Sequence, residues 1–198
     1  MGGRRRTQDH YGRRARRERY PARSIYKLEE IDRKVRLFSR GQAVLDLGAA
    51  PGSWTMYASD KVGPTGRVIA VDRAELAIGI PPNVTFMQAD ALAIDPSELG
   101  SAVGIARFKV VISDMAPRTS GHRFVDQTRS FNLFSRALEI ALATLEPRGA
   151  FAGKIFQGED FEKARDMVRE RFEKARIIRP ASVRTESYET YIVGTGLR

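Results

Sequence analysis

The sequence contains no cysteine and only two histidines among its 198 residues. Without thiols the chain can form neither disulfides nor thiolate metal sites, and two histidines far apart make a poor metal cluster, so we predict no metal site. No apolar run approaches the roughly 20 residues that a membrane-spanning helix needs, and no apolar stretch of the secretory-signal type follows the charged start. These absences predict a soluble, cytoplasmic protein with no membrane partner.

Acidic residues are scarce at the start of the chain. Residues 1–40 hold 14 of the 34 basic residues but only 5 of the 24 acidic ones, whereas the rest of the chain is nearly balanced. A strongly positive segment attracts phosphates by releasing counterions, so we expect a nucleic-acid partner. Because residues 1–20 are also poor in apolar side chains, we predict a basic, flexible arm there and a single domain over residues 21–198. The alternative is an arm that only aids solubility.

The stretch Ala43–Trp54 contains only two glycines, Gly48 and Gly52. It begins with a short apolar run that includes Asp46, and the first glycine ends that run. Such a run predicts a buried parallel strand that leads through a turn into a helix, as at the start of a nucleotide-type site. Gly48 and Gly52 lie four residues apart, whereas a dinucleotide fingerprint needs G-x-G-x-x-G. This spacing disfavours a nicotinamide dehydrogenase and suits an adenosine ligand without a pyrophosphate. An ordinary strand-to-helix turn is the alternative.

Strand and helix patterns alternate along the rest of the chain, which predicts an α/β fold with a mostly parallel sheet. We predict helices over 22–38, 54–62, 131–145 and 159–174, a loop over 115–127, and further strands over 67–72, 84–88, 109–114, 150–156, 177–183 and 188–195. The last two strands are joined by a short link, so they should form an antiparallel hairpin. Acids follow the early strands at the edge where open α/β sheets bind ligands. Asp72 is placed to accept hydrogen bonds from a ribose, and Asp90 suits an adenine amino group.

Lysine supplies only seven of the 34 basic residues, and two lysines lie in apolar surroundings. Lys154 belongs to an apolar strand pattern, where a charge is costly to bury unless it is paired or held neutral. Lys27 lies near the apolar stripe of the first predicted helix; a lysine that snorkels at the edge of a packed helix is the alternative. His122 is predicted to be solvated rather than catalytic.

Five short segments together resemble one family, the FtsJ/RrmJ-type RNA ribose 2'-O-methyltransferases, from about Arg23 to Gly196. The segments are Ser24–Leu28 (SIYKL), Asp46–Trp54 (DLGAAPGSW), Ser113–Pro117 (SDMAP), Lys154–Gly158 (KIFQG) and Glu189–Val193 (ETYIV). Ser53 stands where the family commonly has a second glycine. The resemblance implies a Rossmann-like class I methyltransferase fold with helices on both faces of the sheet. It also implies a catalytic tetrad of Lys27, Asp114, Lys154 and Glu189.

The resemblance further implies S-adenosylmethionine as the cofactor, with contacts from Gly48, Gly52, Trp54, Asp72, Asp90 and Asp114. The substrate it implies is RNA, first a uridine of large-subunit ribosomal RNA and second transfer RNA, for an enzyme that we expect to be a monomer. Lys154 would act either as a neutral base or as a charged group that stabilises an alkoxide. The rivals are a methyltransferase for another atom and a non-enzymatic RNA-binding ribosome-assembly protein on a methyltransferase scaffold.

Overall fold

A seven-stranded sheet forms the centre of the protein. The computed structural model describes residues 3–101, 104–184 and 186–198. In chain order the elements are α1 (Gly3–Arg17), α2 (Ile25–Val35), β1 (Ala43–Leu47), α3 (Ser53–Val62), β2 (Arg67–Asp72), β3 (Val84–Gln88), α4 (Glu98–Ser101), β4 (Phe108–Ser113), α5 (Arg123–Thr144), β5 (Leu145–Phe156), α6 (Phe161–Arg171), β6 (Phe172–Ile178) and β7 (Glu189–Leu197). The strand order is β3-β2-β1-β4-β5-β7-β6. Strands β1 to β5 run parallel, and β7 lies antiparallel between β5 and β6.

Helices cover both faces of the sheet because its central strands are apolar on both sides. Val44 of β1 belongs to the core cluster that contains residues of α1, α2 and α3, whereas its neighbour Leu45 belongs to the cluster that contains residues of α4, α5 and α6. Both side chains are fully buried. The α/β fold with a mostly parallel sheet and an antiparallel C-terminal hairpin, predicted from the sequence, is confirmed. No helix in the described ranges is long and apolar enough to cross a bilayer.

The sheet brings the ends of distant strands to one edge. Leu47 pairs with Ser113, and Asp72 lies beside the end of β3, so β1, β2, β3 and β4 all end at this carboxyl edge. Strand β7 runs the other way and therefore begins there, where Glu189 pairs with Phe156 at the end of β5. Side chains that are far apart along the chain thus meet at this edge.

Several boundaries differ from the sequence prediction. Helix α2 is shorter than the predicted 22–38, α5 begins inside the predicted loop, and β5 begins at Leu145 rather than at Ala150. The largest error concerns the edge strand, which was predicted over 177–183 and occupies Phe172–Ile178. Its middle residues are mostly exposed, so it lacks the apolar alternation that marks a strand, and its pairing with β7 decides its position. The short helix α4 was not predicted.

The basic N-terminal segment contains a helix where the sequence predicted a flexible arm. Helix α1 covers Gly3–Arg17, and Ala15 near its end is buried in the core. The rings of Tyr11 and Tyr26 lie 5.4 Å apart, and the Arg14 guanidinium lies 4.4 Å from the centre of the Tyr26 ring. These contacts hold the end of α1 against α2, and composition did not reveal them. Residues 1 and 2 of the predicted arm lie outside the described residues.

Candidate active site

Four charged side chains meet at the carboxyl edge as two ion pairs. The Nζ of Lys154 lies 3.0 Å from Oδ1 of Asp114, and the Nζ of Lys27 lies 2.5 Å from Oε1 of Glu189. The Lys154 side chain is only 5% exposed, so its charge requires a partner at this depth. The structure therefore brings together all four members of the tetrad that the resemblance implied.

A tyrosine that sequence reasoning missed links the two ion pairs. The hydroxyl oxygen of Tyr191 lies 2.7 Å from Oδ1 of Asp114 and 2.8 Å from Oε1 of Glu189. Its single proton can be donated to one of the two carboxylates at a time. Burial, and next the two carboxylates, raise the pKa of Tyr191 well above its ordinary value, so the phenol remains a donor. The available signal was strand alternation, which places residue 191 on the same face as Glu189.

Electrostatics keep Asp114 ionised. Burial by itself would raise the pKa of this carboxyl group. The ammonium groups of Lys154 and Lys27, together with the hydrogen bond from Tyr191, outweigh burial and hold the pKa below its ordinary range. Asp114 is therefore a carboxylate at neutral pH. Its main-chain oxygen also accepts a hydrogen bond from the Lys154 ammonium.

The indole of Trp54 supports the start of α2, which carries Lys27. Its Nε1 donates a hydrogen bond to the carbonyl oxygen of Ser24 at 2.9 Å, and its ring lies 5.7 Å from that of Tyr191. The neighbouring Ser53 hydroxyl accepts a hydrogen bond from the amide of Ala22 at 2.8 Å. Trp54 thus fixes two parts of the tetrad's surroundings at once. Ser53 fits in the position where the family commonly has glycine.

A cavity of about 380 Å³ opens beside the four charged side chains. Four of the residues predicted to bind the cofactor line it: Gly48, Asp72, Asp90 and Asp114. Asp114 is shared between the cavity and the ion-paired tetrad. Apolar side chains, among them Leu92 and Met115, supply another part of the wall. The arrangement can hold a ligand with both polar hydroxyl groups and a flat apolar part next to the tetrad.

Gly48 and Asp72 also shape the cavity wall. Gly48 has φ +77°, and an added Cβ would lie 2.6 Å from Cγ of Met115, so only glycine fits this turn. The two carboxylate oxygens of Asp72 accept hydrogen bonds from the amides of Ala50 at 2.9 Å and Ala74 at 2.8 Å. Each oxygen retains a lone pair for a ligand hydroxyl group.

Two predicted cofactor residues lie outside the lining of this cavity. Gly52 has φ +111° before α3, and an added Cβ would meet Ile78 at 2.7 Å, which explains the glycine by packing. Trp54 is almost fully buried against Tyr191. A direct contact between either residue and the cofactor stays a prediction.

His122 is exposed at the residue before α5, as expected for a solvated histidine. Among the described residues, no group of histidine and acidic side chains is arranged to hold a metal ion. The chemistry available at this site is therefore that of two lysines, two carboxylates and a phenol beside a ligand cavity. Such a set can orient a hydroxyl group and stabilise charge that develops on its oxygen.

Fold and site together define a methyltransferase-type α/β domain. The profile of the FtsJ-like methyltransferase family matches residues 20–197, and the chain belongs to this family. It is 50% identical over 186 residues to the ribosomal RNA large subunit methyltransferase E of Sorangium cellulosum, an alignment that covers 94% of this chain and 86% of that one. The protein of the same name from Nitratidesulfovibrio vulgaris is 50% identical over 190 residues, covering 96% and 94% of the two chains.

Among solved structures, the chain is similar to a crystal structure of a protein named as a ribosomal RNA methyltransferase from Plasmodium falciparum. The TM-score is 0.79 at 21% sequence identity, and the superposition covers 90% of this chain and 98% of the other. At this identity the likeness shows the shared fold. The family resemblance noted in the sequence is confirmed.

Proposed function

We propose that the protein transfers a methyl group from S-adenosylmethionine to the 2'-hydroxyl of a ribose in large-subunit ribosomal RNA, at a uridine. The observation that carries this proposal is the buried Lys154–Asp114 ion pair, which shares Asp114 with the ligand cavity. The relatives that are 50% identical are named for large-subunit ribosomal RNA, which supports this substrate.

The cavity residues fit S-adenosylmethionine. Asp72 would accept hydrogen bonds from the ribose hydroxyls of the cofactor, and Asp90 would accept one from the adenine amino group, beside the apolar wall at Leu92. The ionised Asp114 would favour the positive sulfonium. When bound, this cofactor supplies an electrophilic methyl group. The protein's own residues have to align the ribose oxygen and manage its proton.

Lys154 would handle that proton. Two of its contacts, to Oδ1 and to the main-chain oxygen of Asp114, use two N–H groups. The remaining position on the nitrogen would act on the ribose hydroxyl in one of two forms. As a lone pair it accepts the proton of the hydroxyl group; as a third N–H it stabilises the developing alkoxide. Lys27 and Glu189, tied to Asp114 through Tyr191, would position both the ribose and Lys154.

Positive charge beside the tetrad supports an RNA substrate. Arg23 and Arg184 line a second cavity of about 460 Å³ together with Lys27 and the acids Glu186 and Glu189, so guanidinium groups lie next to the tetrad. Arg16 and Arg17 of α1 are exposed and extend the positive surface. Phosphate contacts of this kind would hold the RNA strand while the tetrad selects a ribose hydroxyl, a group that DNA lacks.

A methyl transfer assay with tritiated S-adenosylmethionine tests the proposal. Large ribosomal subunits, naked ribosomal RNA and transfer RNA are offered side by side, and nuclease-resistant dinucleotides identify 2'-O-methylation. We expect label in large-subunit RNA at the ribose. Label confined to transfer RNA would assign the second substrate class. Absence of cofactor binding by calorimetry would instead favour a non-enzymatic assembly protein. Action on ribosomes would agree with the expected cytoplasmic location, and gel filtration tests the expected monomer.

A further inference from the structure

Three exposed apolar side chains belong to the two segments that meet where Arg123 contacts Tyr188. Phe124 is 63% exposed, Tyr188 is 44% exposed and Val125 is 38% exposed. The guanidinium of Arg123 lies 4.0 Å from the centre of the Tyr188 ring, as a cation stacked on an aromatic face. We call Arg123, Phe124, Val125 and Tyr188 the aromatic rim. Large aromatic groups exposed together, rather than singly, indicate a binding surface.

One member of the rim is the chain neighbour of a tetrad residue. Tyr188 immediately precedes Glu189, and its carbonyl oxygen accepts a hydrogen bond from the amide of Gln157 at 2.8 Å, at the end of the strand that carries Lys154. Glu189 turns toward Lys27 on α2, whereas Tyr188 turns toward Arg123 at the start of α5. The rim therefore borders the catalytic centre on the side opposite to α2.

We propose that the aromatic rim stacks on an unpaired base of the RNA strand whose ribose is methylated. The inference rests on the proposed function. Proteins that recognise single-stranded RNA stack unpaired bases on tyrosine, phenylalanine and the arginine plane, and the rim offers all three groups. The chemistry favours a base over another occupant, because aromatic rings and a guanidinium plane stack on the flat faces of bases, and Tyr188 directly precedes the tetrad residue Glu189. The phosphates would lie toward Arg23 and Arg184, on the side of Lys27.

The rival explanation is that Arg123 and Tyr188 only fasten α5 to β7. A base-stacking role and a purely structural role predict different effects on RNA binding and on the melting temperature. Loss of a stacked base weakens RNA binding about 5- to 100-fold and leaves its salt dependence unchanged, because a tyrosine carries no charge. Loss of a structural interaction lowers the melting temperature and leaves KM for RNA as it was.

The experiment compares Tyr188→Ala, Tyr188→Phe and Phe124→Ala in methyl transfer to naked large-subunit ribosomal RNA. The control is Ile177→Ala, which removes a 47% exposed apolar side chain from β6. We expect both alanine variants at the rim to raise KM for RNA at least about fivefold, with a larger effect on KM than on kcat. Tyr188→Phe keeps the ring and should stay within about twofold of the wild type.

A second experiment identifies which base stacks on the rim. RNA oligonucleotides that span the mapped site carry an abasic ribonucleotide at the target or at one of its neighbours. At the position that stacks, removing the base should weaken binding to the wild type and should have little further effect on Tyr188→Ala, a coupling that a double-mutant cycle measures. Additive effects at every position would overturn the proposal.

Other results also separate the ideas. If the rim variants differ from the wild type only with whole ribosomal subunits and not with naked RNA, the rim contacts a ribosomal protein and the proposal is wrong. If the rim variants are active with unchanged KM for RNA but have a lower melting temperature, the rim only stabilises the packing of α5 against β7. If the wild type transfers no methyl group to any RNA, the proposed function itself has failed, a result distinct from both.

Discussion

The hydroxyl of Tyr191 lies 2.7 Å from Oδ1 of Asp114, the same oxygen that pairs with Lys154 at 3.0 Å. Because that hydroxyl also lies 2.8 Å from Glu189, it joins the two ion pairs of the tetrad into one network. Networks of buried polar groups act as a unit, and loss of one member displaces the others. The tetrad should therefore respond to changes in Tyr191 as well as in its own four residues.

Tyr191→Phe removes only the shared hydroxyl and keeps the ring that packs on Trp54. Hydrogen bonds to charged groups contribute about 1.5–3 kcal/mol, so we expect kcat to fall about 10- to 100-fold while cofactor affinity stays within about twofold. Single-turnover methyl transfer and calorimetry measure the two quantities. A variant with wild-type kcat would show that the two ion pairs act independently.

Lys154→Ala removes the group that we propose to act on the ribose hydroxyl. We expect a loss of at least about 100-fold in turnover with cofactor binding nearly intact, because Lys154 contacts Asp114 and does not line the cofactor cavity. Lys163→Ala, which removes a lysine from α6, is the control and should behave like the wild type. If the variant keeps more than about a tenth of the wild-type rate, the activation free energy has risen by less than ~1.4 kcal/mol, and Lys154 has no central role in the mechanism.

Asp46 makes stability depend on pH. Burial outweighs the hydrogen bond from Thr55 and, with smaller contributions from Asp114 and Asp72, raises the pKa of Asp46 from 3.8 to about 7. Between these values the folded protein keeps a proton that the unfolded chain has released, so raising the pH across this window lowers the free energy of unfolding. The full difference is on the order of 4 kcal/mol.

Asp46→Asn cannot ionise and should remove that fall between pH 5 and pH 8, as measured by urea denaturation of both proteins. Asp95→Asn is the control. The pKa of Asp95 is lowered, chiefly by hydrogen bonds from Ser97, so this variant should keep the fall. Parallel pH profiles for the wild type and Asp46→Asn would show that Asp46 is ionised throughout the range.

Gly48→Ala places a Cβ at a left-handed φ and against the main chain of Met115, whose Cα would lie 3.0 Å away. We expect the free energy of unfolding to fall by about 2 kcal/mol and cofactor affinity to weaken, because the turn that lines the cavity has to move. Gly79→Ala introduces the same methyl group into open space without a left-handed φ. If calorimetry and denaturation give the same values for both variants, Gly48 has no special role.

The exposed arginines of α1 should contribute affinity without choosing the sequence. Arg16→Gln combined with Arg17→Gln should weaken RNA binding and lower the slope of log K against log salt concentration by about one for each phosphate that the protein no longer neutralises. These substitutions leave the buried Ala15 and the contacts of Arg14 in place, which deletion of residues 1–20 would not. Arg148→Gln changes an exposed arginine at the other end of β5 and is the control. An unchanged salt slope would exclude α1 from the RNA interface.

The fold class could be predicted because the central strands are apolar on both faces and alternate with helical patterns. The bounds of the edge strand β6 could not be predicted from the sequence. Its middle residues are mostly exposed to water, so they lack an apolar pattern, and only its hydrogen bonds to β7 decide its register. For the same reason the sequence predicts a flexible arm over residues 1–20, where α1 lies. Its anchoring depends on Ala15 and on rings that contact Tyr26, and composition does not report such contacts.

The sequence by itself determined which chemical groups the protein carries: a lysine within an apolar strand, acids after the strands, and the five segments typical of the family. Only the tertiary structure decided how these groups pair. The antiparallel entry of β7 brings Glu189 and Tyr191 to the edge where Asp114 follows β4 and Lys154 lies near the end of β5, and helix packing sets Lys27 beside them. Such pairing depends on distances of a few ångströms between residues far apart in the chain, which follow from packing and sheet direction rather than from local sequence.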